Sequence, residues 1–374
     1  MAAIAAIGAG ADDDTEEDIV YSTVDVNVQR ISPYGAGVQL RDGRVVFVPY
    51  TVTTIGLFDP KTNECSTIAA DVPYAYRGGV LLPDGRVVFV PHYATKIGIF
   101  NPTINVYSTI AGMPGDGAYA SGVLLHDGRV VFVPANATTI GIFNPMTNAY
   151  STIATDAPGH HAYIGGVLLR DGRVVFVPHS AKTIGIFNPT TNAYSTIAGA
   201  PGGDAYRGGA LLSDGRVVFF PYNATTIGIF NPTTNAYSTI AGMPGYPEYN
   251  GGVLLPDGRV IFVPYCTKKI GVFNPTTNAY STIAGPQSTY AHLSGMLLLD
   301  GRVLFTPCDA KKIGILTVSD EKARRRAHSR TEAVKAELVA AAWHPKRMLR
   351  CLDEDERREM ADMGLCDATA TATA

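Results

Sequence analysis

The sequence predicts an all-β fold: a seven-bladed β-propeller of four-stranded antiparallel blades, its ring closed by the N-terminal strand, followed by a short α-helical tail. Three observations predict it. Asp-Gly-Arg recurs from Asp42, Asp84, Asp127, Asp171, Asp214, Asp257 and Asp300, a period of 42 to 44 residues, which is the period of a propeller blade. Each unit holds four apolar runs punctuated by turn residues. The last unit stops after its third run, while a spare run stands ahead of the first unit.

Residues 208–242 illustrate one unit. Gly209 to Leu212 is a first strand, Ser-Asp-Gly-Arg a turn, Val217 to Phe220 a second strand, Thr226 to Phe230 a third and Ala236 to Ile240 a fourth. Asp-Gly flanked by apolar runs is a hairpin signal, because a two-residue turn needs positive φ angles. Asn-Pro after the third strand ends it, since proline has no N–H to give to a ladder. The inner strands are near-continuous Val, Ile, Phe and Leu, as expected of sheets covered on both faces. The final unit ends at Ile313 to Val318 with no fourth strand, and Ile19 to Val24 matches the Tyr-Ser-Thr-Ile of the other fourth strands. Pairing the two completes the seventh blade and removes an exposed edge.

Residues 19–318 are thus the propeller, flanked by an extension over 1–18 read as disordered. Met1 to Ala11 is too short to span a bilayer and carries no Lys or Arg, and it runs into the acidic stretch Asp12 to Asp18. After Val318 the composition turns charged and alanine-rich. A basic linker over 319–330 contains Lys322, Arg324, Arg325, Arg326 and Arg330, and is read as solvated chain in preference to a nuclear-localisation signal. A helical tail over 331–362 opens with Ser329 and Glu332 in capping-box spacing and is interrupted by Pro345. Its second helix carries Met348, Leu349 and Leu352 on the apolar face, and Trp343 would anchor the pair. Residues 363–374 form an Ala/Thr low-complexity end.

The chain is 46% hydrophobic and 17% charged, with a formal net charge of −3. That excludes a disordered chain and leaves no basic excess for nucleic acid or a membrane surface. Five scattered cysteines, Cys65, Cys266, Cys308, Cys351 and Cys366, show neither CxxC nor zinc-finger spacing and are read as free thiols of a cytoplasmic, monomeric protein. The sequons at Asn136 and Asn223 lie in a repeated Asn-Ala-Thr loop and are read as part of the repeat.

Tyr222-Asn-Ala-Thr-Thr-Ile-Gly-Ile-Phe-Asn-Pro-Thr-Thr-Asn, preceded by Asp-Gly-Arg-Val-Val-Phe, resembles the repeats of the virginiamycin B (streptogramin B) lyase family across roughly residues 19–318, and kelch-type propellers more distantly. Pro33-Tyr34-Gly35, the Ile-Gly of every third strand and Cys308-Asp309 with Lys312-Ile-Gly carry the same likeness. The resemblance implies elimination chemistry with magnesium and with histidines and acids on loops near the axis. It places His292 at the family's general base, with Tyr290 and Asp309 as neighbouring helpers. Pro307 stands where the family has an acidic metal ligand, Tyr290 where it has another acid, and Tyr249 where it has a second histidine. Ala-Trp-His-Pro-Lys-Arg and the following Cys-Leu-Asp-Glu-Asp-Glu resemble tails on proteins of large DNA viruses of algae and protists.

In a four-stranded blade, the loops from second to third strand and from fourth to the next first strand share one face. Eight residues before each Asp-Gly-Arg stand Tyr34, Tyr76, Tyr119, Tyr163, Tyr206, Tyr249 and His292. They could form an aromatic ring around the channel mouth, but a residue present in every repeat usually serves the repeat, so the reading preferred for the tyrosines is that they wedge between blades, each hydroxyl satisfied by a neighbouring loop. Positions that differ among units are the further candidates: Arg77, Arg207 and Asn250 beside the tyrosines, and Tyr50, His92, His179, Tyr222, Tyr265 and Cys308 after the second strands. His160, His161 and His179 lack an accompanying carboxylate or thiolate cluster, so no metal is assigned. The functional expectation is a noncatalytic propeller that binds a protein or glycan through this face, with a second contact through the tail and no cofactor. The alternative is a lyase-like carbon–oxygen lyase or hydrolase with His292 as base, for which magnesium would be the cofactor.

Overall fold

The structure, a computed structural model, describes residues 19–26, 33–70, 75–243, 248–309 and 312–318. The expected tail, linker and extension lie outside the described residues. Seven four-stranded antiparallel sheets are present among them. Blade 1 is Tyr34–Gln39, Val45–Pro49, Thr54–Asp59 and Glu64–Ala69, and blades 2 to 6 repeat that order. Blade 7 is His292–Leu297, Val303–Pro307 and Lys312–Val318, and its fourth strand is Ile19–Asp25. The closing pair runs in register from Ile19 opposite Val318 to Asp25 opposite Lys312, where Lys312 Nζ meets Asp25 3.1 Å away.

Burial follows position in the blade. Every second strand is buried along its whole length, as in Val130–Pro134, whereas the fourth strands are the exposed outer rim. The core is not central. It consists of layers between neighbouring blades, such as Val123, Val131 and Val133 of blade 3 against Tyr163, Val174 and Phe176 of blade 4. Tyr34, Phe47 and Phe58 of blade 1 meet Leu298, Leu304 and Ile313 of blade 7 in the layer that closes the ring. Burying a Val, Ile or Phe side chain contributes about 1.5–3 kcal/mol, so these layers outweigh any polar contact on the surface.

The Asp-Gly-Arg turns differ from the two-residue hairpin read from sequence. Gly85 takes φ 84° but Asp84 does not take a positive φ; Gly85 N donates to Leu82 O at 3.0 Å and Leu82 N to Arg86 O at 2.8 Å. That is a three-residue connection, a tight turn followed by a left-handed glycine. Asp84 Oδ1 accepts from Arg86 N and its Oδ2 from Arg86 Nε, which leaves the guanidinium aimed sideways. It then donates to the next blade: Arg86 Nη2 reaches Pro145 O at 3.1 Å, Arg129 reaches Pro189, Arg173 Pro232, Arg216 Pro275 and Arg302 Pro60. The arginines therefore link consecutive blades as well as pairing with their own aspartates. The last of these links joins blade 7 to blade 1.

The glycine of each third strand is a spatial requirement. A Cβ on Gly141 would lie 3.0 Å from the Phe132 ring and 3.0 Å from Tyr119, and one on Gly98 would lie 2.9 Å from Tyr76. Overpacking of this kind costs about 1–3 kcal/mol. Gly141→Ala is expected to lower stability by that amount in denaturant titration, whereas Gly128→Ala, with open space around its Cβ, should cost only the strain of its positive φ. Deleting residues 1–26 should expose the edge of Lys312–Val318 and drive aggregation, visible by size-exclusion chromatography; a soluble deletion variant with an unchanged Tm would contradict the closure.

Candidate ligand-binding face

Of the two readings of the first-strand aromatics, the one in which they ring the mouth does not hold. Tyr76, Tyr119, Tyr163 and Tyr206 are 0% exposed, Tyr249 1% and Tyr34 4%. Each ring packs on the second-strand phenylalanine of its own blade, as Tyr119 does on Phe132 with centroids 5.6 Å apart. It then passes over the third-strand glycine, and its hydroxyl meets a fourth-strand tyrosine: Tyr76 with Tyr107 at 2.7 Å, Tyr119 with Tyr150 at 2.6 Å, Tyr163 with Tyr194 at 2.9 Å, Tyr206 with Tyr237 and Tyr249 with Tyr280 at 2.6 Å. These side chains cross their blades within the inter-blade layers. Buried phenols need such partners. In blade 1 the fourth-strand position is Cys65, and Tyr34 bonds Thr54 instead.

His292 occupies the same place in blade 7. It is fully buried and stacks near Phe305, and its Nε2 lies 2.8 Å from the hydroxyl of Tyr21 on the closing strand. Burial depresses its pKa to about 4, with the Thr306 backbone opposing. The placement of His292 as a rim-facing general base is therefore corrected: it is the seventh blade's version of the buried tyrosine. Tyr290 and Asp309 do come together, on the surface. Tyr290 is 40% exposed and stands edge-on to Tyr265 with centroids 5.1 Å apart, and Asp309 N donates to Tyr290 O. They are not joined to His292, which points into the blade.

What faces the mouth is the other set of candidates. In the first strand, Tyr76 pairs with Pro91 and Gly78 with Val90, which leaves Arg77 as the extra residue of a β-bulge. Arg207 lies in the corresponding bulge of blade 5, where Tyr206 pairs with Pro221 and Gly209 with Phe219. A bulge re-aims the side chain it carries. Here it turns both guanidiniums off the blade, and although blades 2 and 5 are not neighbours, each arginine feels the tyrosines Tyr50 and Tyr222. Crowding and the charge of Arg207 pull Arg77 down to about 10, burial being the larger cause. Arg207 lies flat on Tyr222 at 3.7 Å, and its Nη1 donates to Asn250 Oδ1 at 3.2 Å.

Ring contacts run round this mouth. Tyr50 neighbours His92 and His92 neighbours His161; His179 neighbours Tyr222, and Tyr222 neighbours Tyr265. His92 Nδ1–H donates to Tyr119 O at 2.8 Å and His179 Nδ1–H to Tyr206 O at 2.9 Å, so both rings are braced against the next blade's first strand. Burial, then the charge of Arg77, lowers His92 to about 4. His179 is lowered by burial and by Arg207, with Asp204, 3.3 Å from its Nε2, opposing. Asn136 fastens the loops on either side, with Nδ2 to Asp116 O and Oδ1 accepting from His161 N, both at 2.9 Å. That is a structural use for a sequon asparagine; Asn223 makes the corresponding contact to Gly203 O at 3.5 Å. Cys308 is buried, Cys266 is partly exposed, and neither is in a disulfide. Among the described residues no three His, Cys, Asp or Glu side chains gather as a metal site.

The depressed histidines set the pH dependence of stability. The unfolded chain protonates them near pH 6.5 and the folded one only near pH 4, so stability is complete above about pH 6.5 and falls as pH drops through that window. His292→Tyr restores the tyrosine pair of the other blades. It is expected to keep the native fold and to flatten the loss between pH 6.5 and 4 by on the order of 3 kcal/mol, read from denaturant midpoints at each pH. An unchanged pH profile would contradict the burial of His292.

No protein-family model matches the chain, and no curated protein sequence does. Solved structures do. A streptogramin B lyase superposes with a TM-score of 0.70 at 18% identity over 82% of this chain and 100% of that one. The virginiamycin B lyase of Staphylococcus aureus gives 0.70 at 17% over 80% and 99%. The WD40 β-propeller domain of Doa1 gives 0.63 at 15% over 82% and 98%. At such identities an enzyme and a repeat scaffold match nearly equally well, and what they establish together with the geometry is the fold: this chain is a seven-bladed β-propeller similar to the streptogramin B lyases and to WD40 domains.

Proposed function

We propose that the protein is a noncatalytic binding propeller that takes a protein or glycan ligand on the face where the second-to-third and fourth-to-first loops converge. One observation carries this. The side chains shared by the repeats are committed inside the blades, whereas among those that differ between repeats Arg77, Arg207, Tyr50, Tyr222 and Tyr265 stay partly exposed around the channel mouth, with His92 and His179 buried behind them. Tyr and Arg are the residue types that dominate binding hot spots, and here they are held by stacking and hydrogen bonds before any ligand arrives.

The likeness to a streptogramin B lyase favours a second reading, a carbon–oxygen lyase using His292 as base and magnesium as cofactor. The residues do not fit it. His292 is sealed against Tyr21, and the exposed Asp309 beside Tyr290 is a single carboxylate where a hard cation takes six or more oxygens, several of them from carboxylates or water. No step through a metal follows from this donor set.

Two measurements test the proposal. A protein or glycan captured by the full chain should bind saturably, and Tyr222→Ala with Tyr265→Ala should weaken it at least about tenfold, while Arg216→Gln on the opposite face leaves it unchanged. Incubation with a streptogramin B antibiotic and magnesium should leave its ring closed; ring opening that disappears in His292→Tyr would overturn the noncatalytic reading.

A further inference from the structure

We propose that the mouth between Arg77 and Arg207 is a site for a divalent oxyanion, a phosphate or a dicarboxylate, carried by the protein or glycan ligand of this face, with an adjoining planar or apolar part resting on Tyr50, Tyr222 and Tyr265. The inference rests on the reading of this face as a binding surface and goes further by naming the chemistry of the ligand.

Charge is the first argument. The charge of Arg207 bears on Arg77, and among the described residues neither has a carboxylate within ion-pair distance. Asp204 is the acid nearest the pair in effect, and it is engaged by Ser180 Oγ at 2.5 Å and by His179. Asp116, Asp156, Glu248 and Asp309 also lie on loops of this face and are not among the largest influences on either arginine. The histidines around the mouth, His92, His161 and His179, add no charge at neutral pH because burial keeps them deprotonated. The mouth thus carries a net positive charge from two arginines, and like charges near one another are costly without a counter-ion.

Geometry is the second. Arg207 is fixed by its face on Tyr222 and by Nη1 on Asn250, and its buried Nε has no hydrogen-bond partner. A buried N–H left unpaired is unfavourable. Nη2 likewise makes no hydrogen bond among the described residues and, unlike Nε, is not closed off from the surface, so it is the donor left for an oxygen of a carboxylate or phosphate. Arg77, on a bulge with no hydrogen bond of its own to another side chain, supplies the second cation from across the channel. The tyrosines beside them offer flat apolar surface next to the charged spot, against which the part of the ligand that carries the oxyanion can rest.

The test uses the full chain. Inorganic phosphate and malonate, each titrated against chloride at matched ionic strength, are expected to raise Tm saturably and to give heat in calorimetric titration. Binding of phosphate alone identifies a phosphorylated ligand, binding of malonate alone a dicarboxylate, and binding of both the shared oxyanion chemistry; each supports the site. Arg207→Gln and Arg77→Gln should each weaken binding at least about tenfold, and Arg216→Gln should not. Arg77→Gln should also leave the ligand-free protein at least as stable as the parent, because it relieves repulsion, a result that a purely structural arginine would not give. Should a glutamine variant fold poorly, Arg77→Lys keeps the charge but loses the fork and should bind with intermediate affinity. No saturable effect of either anion, or equal effects in the parent and both arginine variants, would overturn the proposal. Failure of anion binding with intact, Tyr222-dependent capture of a protein or glycan would remove this site and leave the binding face standing.

Discussion

The interaction on which the fold depends is an aromatic side chain laid across a glycine. From the first strand of each blade a tyrosine, or in blade 7 a histidine, crosses the second-strand phenylalanine and the third-strand glycine to reach a polar group farther out. One side chain thereby ties all the strands of a blade into a unit and also fills the layer against the neighbouring blade. The recurring Ile-Gly and the recurring Tyr are two halves of this contact, because a methyl group at the glycine would occupy the space of the ring. Repetition of the pair around the axis makes seven similar layers from seven similar units, which is how a quasi-repetitive chain closes into a ring of complete four-stranded blades that leave only short edges at the rim.

That arrangement divides the residues by task. Positions that must hold the clamp are alike from unit to unit and are hidden. The bulge residue beside each clamp and the residue after each second strand make no such contact, so their identities are free to vary, and they lie at the mouth. The bulges matter because they separate the two tasks in adjacent residues: Tyr206 goes into the blade and Arg207 goes out of it. Recognition chemistry is thus added to the scaffold without disturbing the packing that supports it.

The blade count, the strand order and the closure through Ile19–Asp25 were legible in the sequence because period, apolar runs and turn residues are local signals. The turn geometry was partly legible: Asp-Gly announced a hairpin, but whether Asp84 joins Gly85 in the left-handed region depends on hydrogen bonds to Leu82 and Arg86. The direction of the first-strand tyrosines was not. A residue at the start of an innermost strand can turn toward the channel or into the blade, and only the bulge after Tyr119 and the space above Gly141 decide between them. His292 was misplaced for the same reason, its likeness to a catalytic histidine being one of sequence position rather than side-chain direction. Arg77 and Arg207 stood out by differing from their counterparts, yet their mutual approach across the ring is a product of closure that no linear pattern contains. The arginine links between blades were missed too, since Arg86 and Pro145 lie 59 residues apart and only blade packing brings them together.

The register of the closing pair also gives the molecule a polarity. Ile19 and Val318 are opposite each other at the edge that carries the Asp-Gly-Arg and Asn-Pro turns, while Asp25 and Lys312 lie toward the mouth. The polypeptide on both sides of the propeller is therefore attached at the end remote from Arg77 and Arg207, at two neighbouring points on the outermost and next-to-outermost strands of one blade. A neighbouring protein or a solid support coupled at those two points would be coupled on the side of the ring away from its opening.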